Sequence, residues 1–264
     1  MSLIKKIVVV DVGCRWGFAE NYLDQLENFQ LYGFDPDKDE CDRLNKRYGT
    51  DAIKAIPLGL AGEPGNRVLY LTKEPACSSL IQPDAELTTN YPALNCAKEV
   101  GQTEVSTTTL DLWASSEGVD YIDHLKIDTQ GSELEILHGG ITILKTVRSI
   151  EVEVEFNPIY TGQPVFSDVD QFLRSQGFVL WKFSNFVHYS KRVTPGNAIG
   201  NDIICFDDFH LLKNPVYAGQ VYWANAHYVR DNIVSNRPPS TSEDRLRDAV
   251  LLKVLGMPDV IGDV

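Results

Sequence analysis

One short run constrains the fold of this chain more than any other feature of the sequence. Four β-branched residues, Ile7–Val10, lead into Asp11, and two glycines follow at positions 13 and 17. Such apolar runs are typical of strands that are buried on both faces of a parallel sheet. Glycine lets the backbone turn tightly and approach a ligand, because it carries no Cβ. The run therefore predicts a strand that ends in a ligand-binding turn and opens a helix.

A second strand ends in a similar way. The segment Leu31–Phe34 leads into Asp35 and Pro36, about one strand and one helix after the first turn. An acid at this place can accept hydrogen bonds from the hydroxyls of a ribose. The two strand ends together predict a site for a nucleotide-like ligand.

The spacing of the glycines separates two classes of nucleotide site. Enzymes that bind nicotinamide or flavin dinucleotides usually carry G-x-G-x-x-G, whose middle glycine makes room for a pyrophosphate. This chain carries D-x-G-x-x-x-G instead, with Cys14 and Arg15 after the first glycine. Asp11 suits a ligand with positive charge, and S-adenosylmethionine carries a sulfonium and an ammonium group. The turn thus favours S-adenosylmethionine over a dinucleotide.

Segments with strand and helix patterns alternate along most of the chain. Strands are predicted at 7–12, 31–35, 52–60, 121–128, 148–156, 178–184 and 203–206, and helices at 18–28, 38–48, 132–138 and 167–177. This alternation predicts a doubly wound, Rossmann-like α/β fold with a mostly parallel sheet and helices on both faces. Ligands bind such sheets at the carboxyl ends of the strands. That rule brings together Gly13, Asp35, Leu58, Asp128 and Glu155.

Two local predictions concern the central strand at 121–128 and the helix after it. Ser132 and Glu135 fit a capping box, in which the serine caps the helix and the glutamate reaches back to it. His124 lies in the middle of the strand and His138 at the end of the helix, where we expect both to be structural.

The composition disfavours several classes of partner. A net charge of −13 without clustered Lys and Arg disfavours nucleic acids and anionic membrane surfaces. The five cysteines are scattered without a C-x-x-C pair, as in proteins of reducing compartments. The apolar run after Lys6 is too short for a secretory signal, and no stretch approaches the ~20 apolar residues of a membrane span. We expect a cytoplasmic protein without nucleic-acid or membrane partners, and homo-oligomer formation stays open.

Taken together, the motifs resemble the FkbM family of S-adenosylmethionine-dependent methyltransferases. The motifs at the two strand ends occur in many enzymes of this fold. The motifs that are specific to the family are Thr109–Trp113 and Leu125–Glu133, and a further match, Ser78–Leu80, lies before them in the chain. The resemblance covers roughly residues 7–185. It implies a class I methyltransferase fold, S-adenosylmethionine as cofactor, and O-methylation of a hydroxyl, often on a sugar, polyketide or other secondary metabolite.

This chain departs from the family pattern at two positions. The family usually ends its second strand with Glu-Pro, where this chain has Asp35-Pro36, and either acid can accept hydrogen bonds from a ribose. The family motif Lys-Ile-Asp-x-Glu-Gly carries Gln130 in place of its glutamate. Any role of that glutamate as a charge or base is therefore not carried over to Gln130.

The sequence divides into two predicted parts. Residues 1–213 are expected to form the S-adenosylmethionine-dependent methyltransferase domain, and residues 214–264 a C-terminal helical extension. In the extension, Arg237–Ser240 is expected to break the chain before a helix at about 242–255. The irregular loop at 73–103 and the extension are expected to form the side that binds the methyl acceptor, a small molecule or carbohydrate with a hydroxyl group.

The predicted site residues fall into a cofactor group and a catalytic group. An aliphatic hydroxyl needs a base during attack, and Asp128, at the end of a central strand, is the first candidate. Glu155 is the second, because it is nearest the end of a strand on which Glu151, Glu153 and Glu155 share one face, and we expect at least two of these three to face water. The predicted cofactor contacts are Asp11, Val12, Gly13, Cys14, Gly17, Asp35, Pro36 and Leu58.

No metal site is predicted, and two other functions stay open. Asp123 and Asp128 lie five residues apart on one strand and therefore point to opposite faces of the sheet. An NAD(P)-dependent oxidoreductase of the same fold is one alternative, although the dinucleotide glycine pattern is absent. A non-catalytic protein that binds the cofactor and acts through a partner is the other.

Overall fold

The computed structural model describes residues 5–189, 198–206, 211–217, 220–235 and 241–261. Within these residues there are twelve strands, numbered in chain order: β1 (Ile7–Val12), β2 (Phe29–Phe34), β3 (Ile53–Ile56), β4 (Gly59–Leu60), β5 (Gly65–Thr72), β6 (Glu99–Thr108), β7 (His124–Ile127), β8 (Ser149–Glu155), β9 (Phe178–Tyr189), β10 (Ala198–Phe206), β11 (Leu211–Tyr217) and β12 (Gln220–Arg230).

Eight α-helices lie in the same residues: α1 (Glu20–Leu23), α2 (Lys38–Tyr48), α3 (Ala85–Asn90), α4 (Leu110–Glu117), α5 (Glu133–His138), α6 (Phe166–Ser175), α7 (Asp231–Val234) and α8 (Ser242–Val254). The helix predicted at 38–48 has the observed bounds of α2. It begins after Asp37, whose Oδ1 accepts hydrogen bonds from the N–H groups of Asp39 and Glu40, and it ends at Gly49 in the left-handed region. None of the described helices combines the length and apolar character that crossing a bilayer requires.

Seven strands form one sheet in the order β3-β2-β1-β7-β8-β12-β9. All neighbouring pairs are parallel except those that involve β12, which runs antiparallel to both β8 and β9. The chain winds from β1 outward to β3 and then returns to β7 on the other side of β1. The strand order therefore reverses between β1 and β7, and a crevice forms at their carboxyl ends.

The sheet is buried on both faces, which explains the apolar run of β1. All six residues of β1 are buried. On one face, Val10 and Val12 pack with Leu110, Ile136 and other side chains of α4, α5 and α6. On the opposite face, a second cluster joins β1 and β2 to α1 and α8. The predicted doubly wound α/β fold is confirmed.

A small second sheet, β4-β6-β5, was not foreseen. The strand predicted at 52–60 is two strands, because β3 belongs to the central sheet and β4 pairs with β6. The next strand, β5, pairs antiparallel with β6 over its whole length. The segment at 73–103 is also more regular than expected, because it holds α3, two 3₁₀ turns and the start of β6.

The predicted C-terminal helical extension requires correction. The boundary at 213/214 falls inside β11, and β12 lies between β8 and β9 in the central sheet. The chain break expected at Arg237–Ser240 lies outside the described residues. The last helix is present as α8, and it is tied to the core by a buried pair between Arg247 and Asp123. The strand β12 and the helix α8, which both follow residue 214, are thus part of the core of the fold.

The capping box predicted at α5 is wrong. Ser132 is the N-cap residue, but its side chain makes no capping bond. The glutamate that reaches back is Glu133, whose Oε1 accepts from the backbone N–H groups of Thr129 and Gly131. Glu135 instead pairs with Arg67 of β5 at 2.7 Å, which ties α5 to the small sheet. A local sequence pattern could not show this partner, because it is 68 residues away.

Candidate active site

A cavity of about 770 Å³ lies at the carboxyl ends of β1, β2 and β7 and is covered by β5, β6 and the segment 75–80. Its volume is within the range of small-molecule sites, which is roughly 300–1,000 Å³. Six of the predicted residues line it, namely Val12, Gly13, Asp35, Pro36, Leu58 and Asp128, and four do not, namely Asp11, Cys14, Gly17 and Glu155.

Gly13 is required where it stands for two reasons. Its φ is +90°, and a Cβ there would lie 2.0 Å from the carbonyl oxygen of Asp128. The N–H groups of Gly13 and Cys14 both donate to the carbonyl of Phe34, at 2.9 and 3.1 Å. These two N–H groups therefore hold the turn against β2. The sequence suggested a turn whose backbone binds the ligand, but these two groups are not directed at a ligand.

Asp35 lies at the end of β2 and contributes its carboxyl group to the cavity. Its Oδ1 accepts from the N–H of Asp37 at 2.8 Å and lies 3.9 Å from Nη1 of Arg15. Burial raises the pKa of Asp35, and the Asp37 hydrogen bond and the Arg15 charge oppose that shift. Among the described residues, Oδ2 is left to accept hydrogen bonds from a ligand.

Asp11 is placed behind the cavity and not in it. Lys126 of β7 donates to its Oδ1 at 3.0 Å, and the residue is 7% exposed. Burial raises the pKa of Asp11 although Lys126 opposes this, whereas the pKa of Lys126 is raised by Asp11 and other carboxylates against the effect of its own burial. The charge of Asp11 is therefore compensated within the protein. The expected direct contact with a cationic ligand is not seen.

Cys14 and Gly17 support the turn from below. The side chain of Cys14 packs over β2 in the space next to Gly33, where a Cβ would lie 2.6 Å from the sulfur of Cys14. Gly17 has a φ of +94°, and its neighbour Phe18 donates its N–H to the hydroxyl of Tyr48 at 3.0 Å. Both predicted residues shape the site without lining it.

A group of three side chains stands where β7 and β8 meet the cavity. The amide nitrogen of Gln130 donates to Asp128 Oδ1 at 2.8 Å and to Glu153 Oε2 at 2.6 Å. The hydroxyl of Tyr160 lies 3.2 Å from the amide oxygen of Gln130. The hydroxyl of Ser79 donates to the backbone carbonyl of Gln130 at 2.8 Å. Gln130 has a φ of +61°, a strained value for a residue with a side chain.

Glu153, which was not among the predicted site residues, lines the cavity next to Asp128. Burial, followed by the negative charge of Asp128, raises the pKa of Glu153 well above its ordinary value. Glu155 lies deeper in the sheet, is 2% exposed, and does not line the cavity. The expectation that at least two of the three β8 glutamates face water is wrong: Glu153 and Glu155 are buried and Glu151 is partly buried, since neighbouring strands and helices cover this central strand.

The block Thr109–Trp113, one of the two specific motifs, has a structural role. Thr109 caps α4 by accepting from the N–H of Leu112 at 3.1 Å. Asp111 accepts from the N–H groups of Thr142 and Ile143 and so joins α4 to the turn after α5. The ring of Trp113 packs edge-on against Phe34 of β2.

A doubly wound sheet with a reversal between β1 and β7, an acid at the end of β2 and a carboxylate at the end of β7 defines a nucleotide-binding enzyme of the Rossmann-like type. The family model described as the methyltransferase FkbM domain matches residues 11–180. The chain belongs to the FkbM methyltransferase family and uses S-adenosylmethionine. This decides for methyl transfer over the nicotinamide alternative.

The chain is similar to the 2-O-methyltransferase NoeI of Sinorhizobium fredii, with 28% identity over 201 residues that cover 68% of this chain and 82% of NoeI. Among solved structures it is similar to TrmK of M. capricolum in complex with S-adenosylhomocysteine, at 10% identity, covering 98% of this chain and 94% of TrmK with a TM-score of 0.40. It is also similar to TehB of Haemophilus influenzae, at 9% identity, 86% and 58% coverage, and a TM-score of 0.38. No functional conclusion follows from the two structures at these identities.

The cavity has the chemistry that S-adenosylmethionine requires. The carboxyl group of Asp35 can accept from ribose hydroxyls, and Pro36 and Leu58 offer an apolar wall to an aromatic base. The described lining includes several carboxyl groups but a single cation, Arg15, which is already paired with Asp37 at 3.0 Å. A negative cavity favours a cationic ligand.

Proposed function

We propose that this chain is an S-adenosylmethionine-dependent O-methyltransferase that acts on a hydroxyl group of a small molecule or carbohydrate. The observation that carries the proposal is the position of Asp128, whose carboxyl group lines the same cavity as Asp35 from a neighbouring strand end. The similarity to NoeI, a 2-O-methyltransferase, supports oxygen as the methyl acceptor.

In this mechanism Asp128 is the proton acceptor. S-adenosylmethionine, when bound, supplies an electrophilic methyl group on its sulfonium. Asp35 would bind the ribose of the cofactor, and the turn at Gly13 would help to hold the cofactor at the strand ends. Asp128 takes the proton from the acceptor hydroxyl as its oxygen attacks, because an aliphatic hydroxyl is a weak nucleophile while it keeps its proton. Holding the two reactants in line supplies much of the remaining rate.

The acceptor side of the cavity is formed by the small sheet and the segment before α3. Leu69 and Leu71 of β5, Val105 of β6 and Ala76 offer apolar surface, and Trp16 stands 69% exposed at the cavity. This mixture of apolar and carboxyl groups suits a neutral, hydroxylated acceptor. A cytoplasmic location and the absence of nucleic-acid and membrane partners stay predictions from the sequence, and homo-oligomer formation stays open.

The proposal is tested with purified protein, S-adenosylmethionine and a panel of mono- and oligosaccharides and hydroxylated aromatic compounds. Mass spectrometry should find a product with one added methyl group on oxygen. Asp128→Asn should abolish the product while calorimetric titration shows unchanged affinity for S-adenosylhomocysteine, and Asp120→Asn, at an exposed carboxylate, should change neither.

Three outcomes would contradict the proposal. Methylation of nitrogen or carbon would overturn the assignment of oxygen as acceptor. Full turnover by Asp128→Asn would remove this residue as the base. Tight binding of the cofactor without transfer to any compound would favour the non-catalytic protein.

A further inference from the structure

The side-chain amide of Gln130 is held in a single orientation. Its nitrogen donates to the carboxyl groups of Asp128 and Glu153. Its oxygen lies 3.2 Å from the hydroxyl of Tyr160, whose shorter hydrogen bond, at 2.7 Å, goes to the carbonyl of Cys77. If the amide turned over, its oxygen would face two carboxyl groups, and this contact is repulsive when either is ionised. The bond from Ser79 to the backbone carbonyl holds the strained main chain in place.

The two carboxyl groups that Gln130 joins are close enough for the charge of one to affect the protonation of the other. Their bonded oxygens lie on one nitrogen at 2.8 and 2.6 Å, so they are separated by no more than the sum of these distances, about 5.4 Å. After burial, the negative charge of Asp128, and then those of Glu155 and Glu133, raise the pKa of Glu153. Two interacting carboxyl groups lose their protons in two separate steps that belong to the pair.

The surroundings divide the roles between the two residues. Glu153 is 5% exposed, whereas Asp128 is only partly buried and has the better access to the cavity. Burial disfavours the charged form, so the single proton of the pair belongs on Glu153 and the negative charge on Asp128. A neutral Glu153 does not repel the carboxylate of Asp128.

We propose that Gln130 and Glu153 are positioning residues for Asp128: Gln130 donates one amide hydrogen to each carboxyl group, and Glu153 holds the proton of the pair, so that Asp128 remains the carboxylate that faces the acceptor. This inference rests on the proposed function, and it replaces Glu155 by Glu153 as the second carboxyl group of the site. The proton that leaves the acceptor oxygen goes to Asp128, which makes both carboxyl groups neutral until the proton is released to solvent.

The first test follows the protonation of the pair by infrared spectroscopy of the intact protein across pH, and it needs no acceptor. At pH 7 the absorption of neutral carboxyl groups should decrease in Glu153→Gln. Removing the amide donor in Gln130→Met should move the titration of the pair upward by about one to two pH units, because hydrogen bonds to a charged group stabilise that form. Gln130→Leu, which also lacks the donor, gives a second variant of similar size.

Asp120→Asn provides the control, because Asp120 is an exposed carboxylate that does not line the cavity. It should leave the absorption at pH 7 and the titration of the pair unchanged. An unchanged titration in both Gln130 variants would overturn the proposal. So would a Glu153→Gln protein that retains the full absorption of wild type at pH 7.

The second test uses the rate of methyl transfer once an acceptor is known. Glu153→Gln should retain turnover within a few-fold at pH 7, because glutamine resembles the protonated acid, whereas an ionised Glu153 that served as base would make this variant inactive. Gln130→Met should move the acid limb of the kcat profile upward by about one to two units and lower the rate below that limb ten- to a hundredfold. Cofactor affinity should not change. If wild type methylates no hydroxyl compound, the proposed function fails, and the infrared test still decides on the pair.

Discussion

The buried pair between Arg247 of α8 and Asp123 allows a strong test of how the C-terminal helix is attached. Nη2 of Arg247 lies 2.6 and 2.5 Å from the two carboxyl oxygens of Asp123, and the residues are 7% and 2% exposed. Asp123 also accepts from the N–H of Val8 at 2.8 Å, so the pair joins α8 directly to β1. In Arg247→Met the carboxylate stays buried and loses its bonded partner.

The loss should be about 3–5 kcal/mol of unfolding free energy, the usual cost of removing one partner of a buried ion pair. This is a large part of a total that is about 5–15 kcal/mol for most proteins. With a urea dependence near the upper end of about 1–3 kcal/mol per molar, the midpoint of unfolding should fall by about 1–2 M. Circular dichroism and tryptophan fluorescence during urea titration measure it.

Arg245→Met provides the control, because Arg245 is exposed on the same helix and should lose no more than about 0.5 kcal/mol. The double variant Asp123→Asn/Arg247→Met should recover part of the loss, since asparagine is neutral and can still accept from Val8. Equal stabilities of Arg247→Met and Arg245→Met would refute the reasoning. The helix would then be an appendage, as the sequence had suggested.

Three further predictions concern the cavity and the core. Gly13→Ala should lower the unfolding free energy by about 3 kcal/mol, because the φ of Gly13 is positive and the added Cβ would overlap the carbonyl oxygen of Asp128. Urea titration measures this loss, and a variant as stable as wild type would contradict the overlap. Asp35→Ala should weaken binding of S-adenosylmethionine in calorimetry more than tenfold, about 1.4 kcal/mol. Asp11→Ala should chiefly lower stability, because it leaves the partly buried Lys126 unpaired, and the reverse result would restore Asp11 as a ligand contact. Burial lowers the pKa of His124 to about 3 in the folded protein, whereas a histidine in the unfolded chain has a pKa near 6.5. Between these values the unfolded chain binds more protons, so the unfolding free energy of wild type should fall by about 2 kcal/mol from pH 7 to pH 5 relative to that of His124→Asn. Parallel curves of stability against pH for the two proteins would show that His124 titrates normally.

Much of the cavity could be read from the ends of the predicted strands. Gly13, Asp35 and Asp128 follow β1, β2 and β7, and all three line the cavity because parallel strands end at one edge of a sheet. The choice between Glu153 and Glu155 could not be made this way. Both lie on one face of β8, and only the position of the covering loops decides which of them reaches the cavity.

The correction at Asp11 has a similar cause. A carboxylate before the glycine turn suggests a cationic ligand, but the cation that it meets is Lys126 of the neighbouring strand. The register that sets Asp11 opposite Lys126 is a property of the sheet and cannot be read from either segment alone. The sequence shows that Gln130 departs from a family motif, but only the tertiary structure brings it between Asp128 and Glu153.

The amino-acid sequence by itself determined the local elements: the buried strand β1, the capped helix α2, the alternation that produces a doubly wound sheet, and the motifs of the family. These elements depend on residues that are close in sequence, because the spacing of apolar side chains and the capping residues are local features of the sequence. The tertiary structure alone decided that β12 inserts between β8 and β9, although Tyr222, Ala224 and Ala226 alternate as buried strand residues. It also decided which acids face a ligand and which face a partner. Pairing between distant segments depends on the competition of all strands for one sheet, and no local pattern records its outcome.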